Sequence, residues 1–188
     1  MITDHRQPTT NRGFTLAELI VSVALFVLVM TMSMTSIVGI FDANRKSRTL
    51  RSVSSNLNLT VESMSKEIRF GTNYHCGFDT DTATSVANCD IASGGNVRIN
   101  FLSSSGVQIS YRKWNNTIEK QVGIGGPYIA ITAPEVIIDS LIFYVIGAGT
   151  TDTLQPKVIM KIKSHAGTGK SQTDFTLQTL VSQRTLDI

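Results

Sequence analysis

The chain has 188 residues, with 17 lysines and arginines against 14 aspartates and glutamates, for a net charge of +3. That length accommodates a membrane helix and one globular domain of ordinary size, and it argues against a second full domain. The charge is too small to point to nucleic acid on electrostatic grounds alone.

The first element is a hydrophobic rod. Leu19 to Phe41 is a run of 23 residues without a charged side chain. As helix it reaches about 35 Å, enough to span a hydrocarbon core. Arg12-Gly13-Phe14-Thr15-Leu16-Ala17-Glu18 stands at its mouth. Glu18 is the anomaly, because an ionisable group in a membrane segment costs about 2.5–3.5 kcal/mol at the centre and less near an end, and it normally faces a protein partner. A carboxylate here wants a cation. The competing reading is a secretory signal peptide, with Arg6 and Arg12 as the basic region and Ser22-Val23-Ala24 as the small-residue site. That site falls too early in the apolar run, and both the acidic residue and the spanning length favour a retained helix.

Arg45, Lys46, Arg48 and Arg51 gather just past the rod. By the positive-inside rule they compete with Arg6 and Arg12 for the cytoplasmic side, so charge counting leaves topology open. Headgroup contact is the plain reading of the cluster, and DNA phosphates are the weaker one. Leu50, Val53, Leu57, Val61, Met64 and Ile68 then recur at spacings of three and four, an amphipathic stripe. Glu62 and Lys66 sit four apart on the polar face, the favourable order for an ion pair. Gly71 follows as a C-cap, so one nearly continuous helix is expected from Thr15 to Phe70.

After Gly71 the period changes to two. Val97, Ile99 and Phe101 alternate with polar neighbours, and Val107, Ile109 and Tyr111 do the same after a turn at Ser103 to Gly106. Asn115-Asn116 offers a hairpin turn into Thr117 to Val122. Runs at Val136 to Ile146, Lys157 to Ser164 and Asp174 to Thr185 complete a predominantly antiparallel sheet that buries one face against the helical stripe. The expected fold class is α+β, a long amino-terminal helix packed on a carboxy-terminal antiparallel β-sheet domain. Cys76 and Cys89, 13 positions apart in a Gly/Thr/Ser/Asp-rich stretch, suggest one disulfide across a surface loop, with two unpaired thiols as the alternative.

Three patterns imitate enzyme or metal sites. Gly167-Thr168-Gly169-Lys170-Ser171 ends like a phosphate loop, but Ser164 stands where the first glycine belongs and two strands flank it. Asp79-x-Asp81 resembles a calcium pair, yet Ala83 takes the next ligand position and no glutamate closes the site. His5, His75 and His165 are scattered, and the sequons at Asn58 and Asn115 are short enough to arise by chance. No catalytic residue, metal or cofactor is assigned.

Taken together, Arg12-Gly13-Phe14-Thr15-Leu16-x-Glu18 and the apolar run resemble the class III signal of type IV pilins and type II secretion pseudopilins. The resemblance implies that a membrane-bound aspartyl prepilin peptidase cuts between Gly13 and Phe14 on the cytoplasmic side and N-methylates Phe14. The mature chain then has 175 residues and a charge of +2. It implies that Glu18 pairs with the amino terminus of a neighbouring subunit and sets axial register. It places the bulk of the chain outside the cytoplasmic membrane as a single-pass protein, and on the cell surface as a pilus after assembly. Partners implied are the peptidase, other pilins or pseudopilins, the inner-membrane assembly platform, and lipid before assembly, with DNA a weaker partner. Ala17 departs from the commoner isoleucine or valine, and the mid-helix proline common in the family is absent. The divisions expected are a leader at 1–13, a transmembrane or filament-core helix at 14–41, an amphipathic stalk at 42–71 and a globular sheet domain at 72–188. Asn56 to Gly71 and Phe175 to Arg184 resemble the W-type minor pilins and the J-type minor pseudopilins. These imply a minor, priming subunit of a fibre for adhesion, motility or DNA uptake, or alternatively a starter of the type II secretion pseudopilus. A membrane-tethered ligand- or DNA-binding module is the reading from another class.

Overall fold

The computed structural model describes residues 13–77, 86–149, 154–167 and 172–184. The chain divides into two compact units, Met1–Arg45 and Lys46–Ile188. The helix α1, Leu16–Arg69, has 54 residues, within one residue at each end of the span that periodicity predicts. In the first unit every large apolar side chain from Leu19 to Phe41 is at least 50% exposed. The rod's five hydroxyls do not add a polar cost. Ser22, Thr31, Ser33, Thr35 and Ser36 each donate to a helix carbonyl three or four residues back, at 2.7–3.3 Å. Such internal satisfaction is what an apolar surrounding demands.

In the second unit the stripe is the core. Val53, Leu57, Val61, Met64 and Ile68 are buried, Thr60 joins them, and Leu50 is only half-buried. Thr60 fits because its hydroxyl lies 2.9 Å from the Asn56 carbonyl and 3.3 Å from that of Ile131. The strands are β1 (Thr72–His75), β2 (Arg98–Leu102), β3 (Gln108–Trp114), β4 (Thr117–Val122), β5 (Tyr128–Ala130), β6 (Ile137–Ile146), β7 (Lys157–Ala166) and β8 (Thr173–Ser182). All ladders are antiparallel, but they form two sheets, β1-β2-β3-β4-β5 and β6-β7-β8, where period-two reading predicts one. The break follows β5. Val136 N–H donates to the Ala133 carbonyl across Pro134 and Glu135, turning the chain away before β6 begins. One hydrophobic cluster joins the helical stripe to Ile99, Phe101, Ile109, Tyr111 and Ile118 of the first sheet and to Leu141, Phe143, Val158 and Met160 of the second.

The hairpin at Asn115-Asn116 forms where its sequence predicts. Trp114 faces Thr117, and Asn115 takes the left-handed conformation at φ 49°. Val97 and Val107, by contrast, are exposed, because β2 begins at Arg98 and β3 at Gln108, leaving both valines outside the ladder. The helix ends for a reason other than the expected C-cap. Gly71 is not left-handed; a Cβ there would stand 2.5 Å from Phe101 Cδ2, so glycine permits the close approach of the helix end to the sheet. The Tyr74 hydroxyl, 2.6 Å from the Ile68 carbonyl and 2.8 Å from that of Gly71, ties the helix end to β1, where the Ile68 carbonyl also accepts from the Gly71 N–H at 3.0 Å.

A polar clamp completes this junction. Glu67 on α1 accepts from the Tyr111 hydroxyl at 2.7 Å and from Lys120 Nζ at 2.6 Å. Burial first, then the Glu67 carboxylate, pushes the Tyr111 hydroxyl's pKa well up from 10.0. In the folded state it therefore stays neutral where the unfolded phenol ionises. The stability it contributes is complete below about pH 10 and falls as pH rises beyond that. Tyr111→Phe is expected to cost about 1.5–3 kcal/mol at pH 7 and to flatten the alkaline loss. Denaturant melts at pH 7 and above pH 10 check this; parallel pH profiles for both proteins would contradict it.

Candidate functional site: the amino-terminal mouth of the helix

Gly13, Phe14 and Thr15 precede α1 as non-helical backbone. Thr15 is the N-cap and Glu18 the third helical residue, and the two close a reciprocal capping box. The Thr15 N–H and hydroxyl donate to Glu18 Oε2 at 3.0 and 2.9 Å, while the Glu18 N–H donates to Thr15 Oγ1 at 3.3 Å. Two orphan amides at the helix start are thereby satisfied, in a position where lipid offers no substitute. The Thr-x-x-Glu spacing that produces this box is plain in the sequence, and reading Glu18 only as a charge in need of a cation passes over it.

The box uses one carboxylate oxygen. Among the described residues Oε1 of Glu18 has no hydrogen-bond partner. The carboxylate is held at the entrance of the helix, where the positive end of the helix dipole also favours it, with one oxygen left to accept an incoming cation. Phe14 is 85% exposed, and a Cβ on Gly13 would meet nothing within 4 Å. The fold itself therefore requires neither glycine nor phenylalanine at these two positions. Arg12 lies outside the described residues.

The two cysteines lie in the second unit, joined by a disulfide with Cα atoms 6.0 Å apart. Cys76 follows edge strand β1, and Cys89 exchanges both backbone hydrogen bonds with Val145 of β6, at 3.0 and 2.9 Å. The bond thus links the first sheet to a segment bridged to the second. Reduction is expected to lower the unit's stability by about 3 kcal/mol through restored loop entropy. Thermal melts with and without reductant measure it, and an unchanged midpoint would refute the coupling.

The enzyme-like patterns do not converge. His75 is buried as the last residue of β1, whereas His165 Nδ1 lies 2.9 Å from both oxygens of Asp139 in the second sheet. Among the described residues no group of three or more His, Cys, Asp or Glu stands close enough to hold a metal. The Asp79/Asp81 pair and residues 168–171 of the loop-like motif lie outside the described residues. The basic residues Arg45, Lys46, Arg48 and Arg51 follow one another along α1. An Arg112 guanidinium stacked 3.4 Å over the Tyr128 ring and paired with Glu119 at 2.9 Å is a further group that sequence reading does not single out.

Residues 9–34 match the family model described as the prokaryotic N-terminal methylation motif. No curated protein and no solved structure matches the chain. The matched stretch contains Gly13, Phe14, the capping box and the exposed rod as far as Met34.

Proposed function

We propose that this chain, whose residues 9–34 match the prokaryotic N-terminal methylation motif, is a minor type IV pilin that helps initiate or cap a fibre. The prepilin peptidase removes residues 1–13, methylates the new amino terminus at Phe14, and leaves the rod attached to the globular unit. The observation that carries this reading is a spanning-length apolar helix whose large side chains from Leu19 to Phe41 are all exposed, opening on a carboxylate with one oxygen spare. Such a rod is stable only in lipid or among similar rods. Extraction from the cytoplasmic membrane into a filament exchanges one apolar surrounding for the other, and pairing the ammonium of one subunit with Glu18 of the next removes two bare charges at once. The fibre serves adhesion, motility or DNA uptake. The resemblance of the helix end and last strand to J-type minor pseudopilins supports the second reading, a starter of the type II secretion pseudopilus.

Amino-terminal mass spectrometry of protein sheared from the cell surface tests the proposal. The expected peptide begins at N-methylated Phe14. A native polypeptide beginning downstream of Phe41 would overturn it.

Glu18 separates cap from charge. Glu18→Gln keeps a capping side chain and loses the charge; Glu18→Ala loses both. Both variants are expected to be cleaved normally and to fall about tenfold or more in filament incorporation, since an unpaired ion in a low-dielectric surrounding costs about 3–5 kcal/mol. Quantifying the chain in sheared fibres against the membrane pool decides it. Full incorporation of the glutamine variant would show that the cap, not the charge, is what assembly needs.

A further inference from the structure

The second sheet ends on an edge that natural proteins seldom leave unprotected. β8 runs ten residues in unbroken register with β7 and contains no lysine, arginine or proline, and Asp174 is its one charge. Long, regular, uncharged edges are templates for a further strand, and they are normally blunted by lysine, proline, a bulge or a cover. The opposite edge of the sheet is covered, because Cys89 and Asn96 bridge to Val145 and Phe143 of β6. Among the described residues, no backbone hydrogen bond reaches β8 from any strand but β7.

The sheet's burial points the same way. Inward residues Val158, Met160, Ile162 and Ser164 of β7 are all buried; on the same face of β8 Val181 is buried too, but Phe175 and Leu177 are only partly covered. A strand beyond β8 would finish burying them. Space for it exists within this unit. Between β8 and α1 lie a groove of about 560 Å³ with Arg51, Ser54, Asn58 and Phe175 on its walls, and another of about 540 Å³ near Lys66, Arg69, Ser182 and Arg184. Across the two, four basic side chains face one acidic one, Glu62.

We propose that the β8 edge accepts an extended strand of a partner chain, with aliphatic side chains set against Phe175 and Leu177 and carboxylates at its two ends facing Arg51 and the Lys66/Arg69/Arg184 group. Backbone pairing supplies affinity, and the basic ends select the partner. A second copy of this chain is the poorer occupant, because its own β8 brings only Asp174 to a basic groove. The inference concerns the globular unit alone and does not depend on the processing of the amino terminus.

The test uses the full chain in detergent micelles and fluorescein-labelled ten-residue peptides of alternating threonine and valine. One peptide carries glutamate at both ends, one lysine at both ends, and one is the glutamate peptide N-methylated at alternate backbone nitrogens. Fluorescence polarisation is expected to show binding of the glutamate peptide, weakened by salt, with the lysine peptide about tenfold weaker and the methylated peptide not bound. The Arg51→Glu/Lys66→Glu double variant should reverse the preference between charged peptides. Hydrogen exchange should show new protection in Thr173–Ser182. Failure of the glutamate peptide to bind, equal binding of its methylated form, or protection elsewhere overturns the proposal. So does protection of β8 that rises with the protein's own concentration in the absence of peptide, which would assign the edge to a second copy.

Discussion

Gly13→Leu is expected to abolish processing while leaving the folded protein unchanged. In cells that process the parent, the variant accumulates in the membrane at its full 188 residues, a slower band on a gel whose intact mass retains the leader. The effect is close to all or none because the two consequences of the substitution are so unequal. Within the chain a Cβ at Gly13 meets nothing within 4 Å, so the thermal midpoint of the globular unit should not move. In a protease cleft the same side chain obstructs the backbone at the bond to be cut, and a transition state that cannot be reached is not recovered by binding elsewhere. Normal cleavage of this variant would remove the central claim. An unaltered melt of the variant excludes misfolding as the cause.

The second large effect is expected at the other end of α1. Phe101→Ala should destabilise the globular unit by about 3–5 kcal/mol, a large part of the roughly 5–15 kcal/mol that such domains possess. Phe101 is fully buried between Tyr74 and Tyr111, each 6.1 Å away between ring centroids, and is the side chain against which Gly71 closes. Alanine there opens a cavity under the helix end and removes two aromatic pairs at once. Urea titration of the detergent-solubilised chain, followed by circular dichroism, measures the loss. A shift below about 1 kcal/mol would mean that the helix end is held by the Glu67 clamp and not by packing. Cleavage after Gly13 should be unaffected in this variant. The pair of experiments therefore dissociates the signal from the fold it is attached to.

Much of the molecule is legible in local sequence. The rod, its Thr15-x-x-Glu18 cap, the stripe from Val53 to Ile68 and the hairpin at Asn115-Asn116 are all set by interactions spanning four residues or fewer. Period and spacing record such interactions directly. The candidate site belongs to this class. Its elements lie within six consecutive residues, Gly13 to Glu18, which is why it can be found without a structure.

What period two cannot report is which layer comes to lie on each face of a sheet, and how far a ladder extends. Asn100, Ser110 and Gln108 are buried on the face opposite Ile99 and Phe101, although their alternation with apolar residues marks them as solvent-facing. At Asp139 the register of β6 against β7 slips, so that Ile138 and Leu141 both point inward where strict alternation would put one of them out. The clamp likewise joins Glu67 to Tyr111 and Lys120 across 44 and 53 positions, and the division into two sheets is not written in the period of any one strand. The sequence by itself determined the signal, the spanning rod and the α+β class, because helix period, capping and charge act locally along the chain. Only the tertiary structure decided where the sheets part, what seats the helix end and which edge is unpaired among the described residues, because those depend on contacts that form after distant segments have met.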